Sequence, residues 1–248
     1  MIMHHTLNNS QKTILMIHPM LSSADNVKNF VANYLGDSFN FLIPDLSDHG
    51  DAVGQIYKSA ALEAKAIHDY MIEHNISEIE LAFGASLGGV VLFELLNYSD
   101  INFKHIFFEG VSFHKHAAMT NFILKNAFLS KHRKAVADHD LAVRKMSEIY
   151  GEKAGKVMAH SFINMNEESI INIVYDCAYV NLPLLSEEVQ KKCVFAFGEK
   201  DSDLKKAKKV QPIIYPKSEM RIWKGYDHCV YMTDKPKNYA DMLLSYLK

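Results

Sequence analysis

The chain has 248 residues, of which 48% are hydrophobic and 23% are charged, and its formal net charge is −2. This composition predicts a single folded unit with a substantial core and gives no sign of disorder. A charge this small creates no overall field that would attract nucleic acid or an anionic membrane surface, so we expect neither as a partner.

The first part of the chain alternates between buried strands and amphipathic helices. Four continuous apolar runs have the length of strands covered on both faces. They are residues 13–18, 39–44, 78–83 and 103–108. The helical patterns that separate them span residues 24–35, about 55–74 and 90–96. Such an alternation requires a mostly parallel sheet with right-handed crossovers and helices on both faces, which is an α/β fold.

The alternation stops in the middle of the chain, where four helical patterns follow one another without a strand. They span residues 122–129, 141–150, 153–162 and 167–182. We interpret residues 114–186 as a helical cap inserted into a core of residues 1–113 and 187–248. Since the insertion follows the carboxyl end of a strand, we expect it over the crevice where open α/β sheets bind ligands.

Two more strands, at residues 193–198 and 220–223, and helices at 204–210 and 236–247 complete the predicted core. Residues 1–7 provide at most a partial further strand at the amino terminus. We therefore expect a sheet of about six strands.

The turn at residues 84–88 reads Gly-Ala-Ser-Leu-Gly and joins a predicted strand to a predicted helix. This is a nucleophile-elbow pattern, in which glycines two positions either side of the serine let strand and helix approach closely. It makes Ser86 a candidate nucleophile. The helix begins at the turn, so the Leu87 N–H would point at an oxyanion formed beside Ser86.

An acid and a histidine follow later in the chain, each just beyond a predicted strand. Asp201 follows the strand at residues 193–198, and His228 follows the last strand. The order serine, acid, histidine is that of hydrolases whose nucleophile lies on an elbow. Three other acids compete with Asp201 for the role, namely Asp203, Asp227 and Glu109. We prefer Asp201, because it stands directly after Gly198-Glu199-Lys200, at the end of a stretch that resembles the acid motif of such hydrolases.

With these motifs, the whole chain from about Thr13 resembles the α/β-hydrolase superfamily, specifically a serine carboxylesterase-like member with a helical cap. His18-Pro19-Met20-Leu21 resembles the family's His-Gly-x-x loop, and residues 44–50 resemble its Pro-Asp-x-x-Gly-x-Gly turn. The resemblance implies that the Met20 N–H is the second oxyanion donor and that His18 holds this loop. Two residues depart from the family, because Pro19 and Asp48 stand where glycines are usual.

The resemblance implies an enzyme that cleaves a small carboxylic ester through an acyl-enzyme, with Ser86, His228 and Asp201 as a triad. It implies neither a metal nor an organic cofactor. Thioesters, lactones, amides and C–C bonds beside a ketone are alternative substrates for such a triad. A non-hydrolytic ligand-binding protein and a lyase or cofactor-free oxygenase are further alternatives. The natural substrate, the residues that line the pocket and the oligomeric state are open at this point.

The residues also predict a compartment. The amino terminus lacks the charged, apolar and cleavage segments of a secretory signal, and no apolar run is long enough to span a bilayer. Cys177, Cys193 and Cys229 are scattered, as is typical of reduced thiols and not of a disulfide framework or a zinc site. We therefore expect a cytoplasmic protein.

Overall fold

A computed structural model describes residues 1–247 of the chain. Seven strands form one sheet in the order β1-β3-β2-β4-β5-β6-β7. Their bounds are β1 Ile2–Thr6, β2 Thr13–Ile17, β3 Asn40–Asp45, β4 Glu78–Ala85, β5 Asn102–Glu109, β6 Cys193–Gly198 and β7 Glu219–Trp223. Every pair is parallel except β1 with β3. The predicted α/β fold with a mostly parallel sheet is confirmed.

The predicted number of about six strands is wrong, because residues 2–6 form an antiparallel edge strand on β3. Polar contacts attach this strand to the rest of the protein. The His4 side chain lies 2.8 Å from the Asp45 carboxylate, and the Met1 amino group donates to the Ser47 hydroxyl at 3.0 Å. The strand is only half-buried and polar in part, so it lacks the continuous apolar run that marks the inner strands.

Twelve helices accompany the sheet within residues 1–247. Those before the middle of the chain are α1 Ala24–Val27, α2 Asn33–Leu35, α3 Ala60–Glu73 and α4 Leu87–Leu95. A π-helical turn, Lys28–Ala32, joins α1 to α2, and a 3₁₀ turn spans Gly50–Ala52. The later ones are α5 Ala118–Ala137, α6 His139–Tyr150, α7 Glu152–Asn164, α8 Glu167–Ala178, α9 Glu187–Lys191, α10 Leu204–Ile214, α11 Val230–Asp234 and α12 Pro236–Ser245. None of the helices in this part of the chain combines the length and apolar character needed to cross a membrane.

Alternate residues of the buried strands pack on opposite faces of the sheet. In β2, Leu15 and Ile17 belong to the cluster that α3 and α4 cover, while Ile14 and Met16 belong to the cluster covered by residues 24–35 and α12. Burial on both faces explains why the strand is apolar throughout.

Side-chain caps start several of the helices and explain where they begin. The Ser59 hydroxyl accepts a hydrogen bond from the Leu62 N–H, so α3 begins at Ala60 and not at the predicted residue 55. Asp138 and Asn166 cap α6 and α8 in the same way.

Five helices, α5 to α9, lie between β5 and β6, and four of them, α5 to α8, fall where the sequence predicts helices without a strand. We call α5–α8 the inserted helices. The division into a core of residues 1–113 and 187–248 and a cap of residues 114–186 stays a prediction.

Candidate active site

Ser86 lies at the sharp turn between β4 and α4. Its backbone has φ 50° and ψ −113°, a conformation that non-glycine residues rarely adopt and that costs free energy. The Ser86 N–H donates to the Glu109 carbonyl at 2.8 Å, which ties the turn to the end of β5. A Cβ on Gly84 would lie 2.6 Å from the Gly88 carbonyl oxygen, so only glycine fits there. The elbow therefore presents the Ser86 hydroxyl at the carboxyl edge of the sheet.

The His228 imidazole lies between Ser86 and Asp201. Its Nε2 is 2.9 Å from Ser86 Oγ, and its Nδ1 is 2.8 Å from Asp201 Oδ2. The Asp201 side chain is fully buried. An ionised carboxylate can only accept a hydrogen bond, so Nδ1 carries the hydrogen and Nε2 has a lone pair free to receive the Ser86 proton.

The other acids near this site do not contact the imidazole. Glu109 is fully buried and accepts from Trp223 Nε1 at 2.9 Å and from the Tyr239 hydroxyl at 2.8 Å. Asp227 accepts the backbone N–H of His228 at 2.7 Å. The Asp203 backbone N–H donates to Asp201 Oδ1 at 2.9 Å, which holds the Asp201 side chain in place. Of the four acids that the sequence offers, only Asp201 is hydrogen-bonded to the His228 ring.

Opposing effects act on the pKa of His228, and together they raise it well above its ordinary value of 6.5. Burial lowers this pKa, while Cys229 and the hydrogen bond to Asp201 raise it. Burial also raises the pKa of the Cys229 thiol, so this group is uncharged near neutral pH. The Asp201 carboxylate is therefore the partner that stabilises the protonated imidazole.

Two backbone N–H groups, one on the residue after Ser86 and one in the loop after β2, have no hydrogen-bond acceptor within residues 1–247. The Leu87 N–H opens α4 and so has no partner in that helix. The Met20 N–H lies in the loop after β2, where the next residue, Leu21, has φ 65°. Free amides of this kind can hold a negatively charged oxygen.

Comparison with solved structures gives the same architecture over the full length. A bromoperoxidase from Bacillus anthracis matches with a TM-score of 0.76 at 12% identity, covering 99% of this chain and 94% of its own. Esterases from Exiguobacterium antarcticum and Thermogutta terrifontis each match with a TM-score of 0.74, at 15% and 12% identity, covering 99% of this chain and 94% and 92% of their own. No protein-family model and no curated protein sequence matches the chain.

The chain has the α/β-hydrolase fold. Within that fold, several residues with a strained backbone conformation belong to the candidate site or to the loops beside it. Among residues 1–247, six residues other than glycine have positive φ, and they include Ser86, Cys229, Leu21 and Asp48. Gly110 also has positive φ, and a Cβ there would lie 2.9 Å from His228 Cε1. Such strain persists only where the surrounding structure enforces it, and it clusters at functional sites.

His18 connects the two loops that follow β2 and β3. It is fully buried, its Nδ1 donates to the Pro19 carbonyl at 2.8 Å, and its Nε2 accepts the Leu46 N–H at 3.1 Å. Burial lowers its pKa, so the imidazole is neutral and can accept at Nε2. His18 therefore holds the loop that carries Met20.

Asp48 shows how the chain accommodates a departure from the family turn. Its φ of 65° is one that glycine adopts readily, so Asp48 has a glycine-like backbone at the position where the sequence resemblance leads us to expect glycine. The buried carboxylate accepts the Gly54 N–H at 3.0 Å and the Asn166 N–H at 2.7 Å. Asn166 caps the start of α8, so Asp48 also attaches the inserted helices to the loop after β3. Sequence analysis missed this contact because the two residues are far apart in the chain.

Asp201, Asp203 and His228 also bring three possible metal-ligand atoms within 4.8 Å of one another. His228 Nδ1 already has the Asp201 carboxylate at hydrogen-bond distance. This hydrogen bond accounts for the proximity of His228 to Asp201 within the cluster.

Proposed function

We propose that the protein is a serine hydrolase that cleaves small carboxylic esters through an acyl-enzyme. The observation that carries this proposal is the continuous hydrogen-bond chain from Ser86 Oγ through His228 to the buried Asp201. A hydroxyl, an imidazole and a carboxylate in this order are the groups that activate serine as a nucleophile.

In the first half of the reaction, Ser86 Oγ attacks the ester carbonyl carbon while its proton passes to His228 Nε2. The carbonyl oxygen becomes negatively charged and accepts the N–H groups of Leu87 and Met20. Asp201 stabilises the imidazolium that forms. When the C–O bond to the alcohol breaks, Nε2 returns the proton to the departing oxygen, which leaves Ser86 acylated.

In the second half, a water molecule takes the place of the alcohol. His228 accepts a proton from the water as its oxygen attacks the acyl carbon. The bond to Ser86 Oγ then breaks, and Nε2 returns the proton to Oγ. The products are an acid and an alcohol, and the enzyme is regenerated without a metal or an organic cofactor in any step.

Hydrolysis of ethyl acetate, followed by acetate release, tests the proposal. We expect turnover by the unmodified protein and its loss in Ser86→Ala. Ser130→Ala is the matched control, because Ser130 is an exposed residue of α5. Turnover that survives in Ser86→Ala would contradict the assignment of the nucleophile. Folded protein that hydrolyses neither ethyl acetate nor other short esters would contradict ester hydrolysis itself.

A further inference from the structure

A cavity of about 40 Å³ lies beside the candidate site, between the sheet domain and the inserted helices. Its lining is almost entirely apolar. Two of its lining residues are direct neighbours of site residues in the chain, since Pro19 precedes Met20 and Cys229 follows His228. The chain segments that carry His228 and Met20 therefore form part of its wall.

Segments from three parts of the chain form the walls. Residues 22–31, at and after the Met20 loop, form one wall, and the residues after His228, including Met232, form the second. The third comes from α6 and α7, through Tyr150, Ala154 and Met158. Burial raises the pKa of Tyr150 and the charge of His228 opposes that rise, which agrees with the position of Tyr150 near the imidazole.

The third wall rests on the core without hydrogen bonds. Within residues 1–247, no hydrogen bond or ion pair joins α6 or α7 to the core, and Lys153 contacts it through the Phe30 ring at 5.6 Å. By contrast, Tyr57 ties α8 to the core, because its N–H donates to Ser169 Oγ at 3.0 Å and its hydroxyl donates to Asp176 at 2.7 Å. Hydrogen bonds therefore tie α8 to the core and, in the described part of the chain, the wall over the cavity has none of its own.

The position of the cavity decides which part of an ester it would hold. In the proposed reaction His228 Nε2 returns its proton to the departing oxygen, so the alcohol part must lie on the histidine side. Three lining residues come from the segment just after His228: Cys229 is its direct neighbour, and Met232 and Thr233 follow in α11. Since a water molecule needs roughly 10–15 Å³ of such space, the volume admits about three water-sized groups.

We infer that this cavity is the alcohol subsite of the proposed esterase and that it takes an unbranched alkyl group of about three carbons. The inference rests on the proposed function. Apolar walls without charged groups favour an alkyl chain over a sugar, an amine or a phosphate. The small volume excludes a long-chain or aromatic alcohol from full burial.

The test compares two ester series with the purified protein. In alkyl acetates the alcohol grows from methyl to hexyl, and in methyl esters the acyl group grows from acetyl to hexanoyl. We expect kcat/KM for the acetates to rise about fourfold per methylene up to propyl and to fall for hexyl. Only the acetate series should respond to changes in the cavity.

Met158→Ala enlarges the cavity, and Ala154→Met fills it. We expect Met158→Ala to prefer an alkyl group that is longer by about two carbons. We expect Ala154→Met to prefer methyl acetate. Met119→Ala makes the same change on an exposed residue of α5 and should leave the profile unaltered. A profile that neither cavity variant moves, or that moves only in the acyl series, overturns the inference.

Labelling of Ser86 by a fluorophosphonate separates this outcome from a failure of the proposed function. A labelled variant is folded and has an activated serine, so its substrate profile judges the subsite alone. If the unmodified protein is folded but takes no label and cleaves no ester, the proposed function is wrong and the subsite falls with it.

Discussion

Replacing Asp201 by asparagine distinguishes the acid of the triad from its neighbours. Asp201 Oδ1 accepts the Asp203 N–H at 2.9 Å, and Oδ2 faces His228 Nδ1 at 2.8 Å. In Asp201→Asn the amide oxygen keeps the bond to Asp203, so the NH₂ group turns toward Nδ1. A donor at this position requires a lone pair on Nδ1, which moves the imidazole hydrogen to Nε2.

With a hydrogen on Nε2, His228 can no longer accept the proton of Ser86. Comparable loss of the correct tautomer lowers kcat about 10⁴-fold in serine proteases, and this factor corresponds to about 5.4 kcal/mol of transition-state stabilisation. The pKa of His228 should also fall, since the carboxylate that raises it is gone. We therefore expect a loss of about 10⁴-fold in kcat/KM near neutral pH, with the acidic limb of the residual activity displaced to lower pH.

The assay is ester hydrolysis across a range of pH, with Glu109→Gln as the matched control. Glu109 is also buried and lies near the site, but its carboxylate bonds to Trp223 and Tyr239 and not to His228. We expect the control to retain most of its kcat. A loss of less than tenfold in Asp201→Asn, or a larger loss in Glu109→Gln, would refute the assignment of the acid.

Three further predictions concern pH and stability. Ester hydrolysis by the unmodified protein should have its acidic limb above pH 6.5, because the pKa of His228 is raised and the base must be unprotonated. Burial raises the pKa of Glu109 from 4.5 to about 7, so the unfolded chain loses this proton first as pH rises. Stability should therefore fall by about 3 kcal/mol between pH about 4.5 and 7, and denaturant unfolding of Glu109→Gln should lack this decrease. Asp48→Gly should relieve the positive φ but lose two hydrogen bonds to a buried carboxylate, a net loss of about 3 kcal/mol in the same assay. An unchanged or increased stability of Asp48→Gly would contradict this account of the turn.

Much of the fold could be predicted because buried parallel strands and capped helices leave local signals. The apolar runs that became β2 to β6 and the helical patterns of the insertion depend on burial that the sequence records directly. The edge strand β1 lacks that signal, because contacts such as His4 with Asp45 hold it and none of its residues is fully buried. Its existence depends on a partner strand about 40 residues away.

In the candidate site, too, local features could be predicted from the sequence, and features that depend on distant residues could not. The pattern around Ser86 defines a strained turn locally, and the structure has that turn. The choice among four acids is not local, since it depends on which carboxylate reaches His228 Nδ1. Tyr150 and Met158 lie in the inserted helices, and nothing in their helical spacing distinguishes a cavity wall from ordinary core.

Location of a covalent adduct tests the central claim most directly. The folded protein is treated with a fluorophosphonate and digested, and the modified peptide is identified by mass spectrometry, with Ser86→Ala treated in parallel. We expect one adduct on Ser86 in the unmodified protein and none in the variant. Folded protein that takes no label, or that carries the label on another residue, would contradict an activated Ser86 and, with it, the proposed hydrolase.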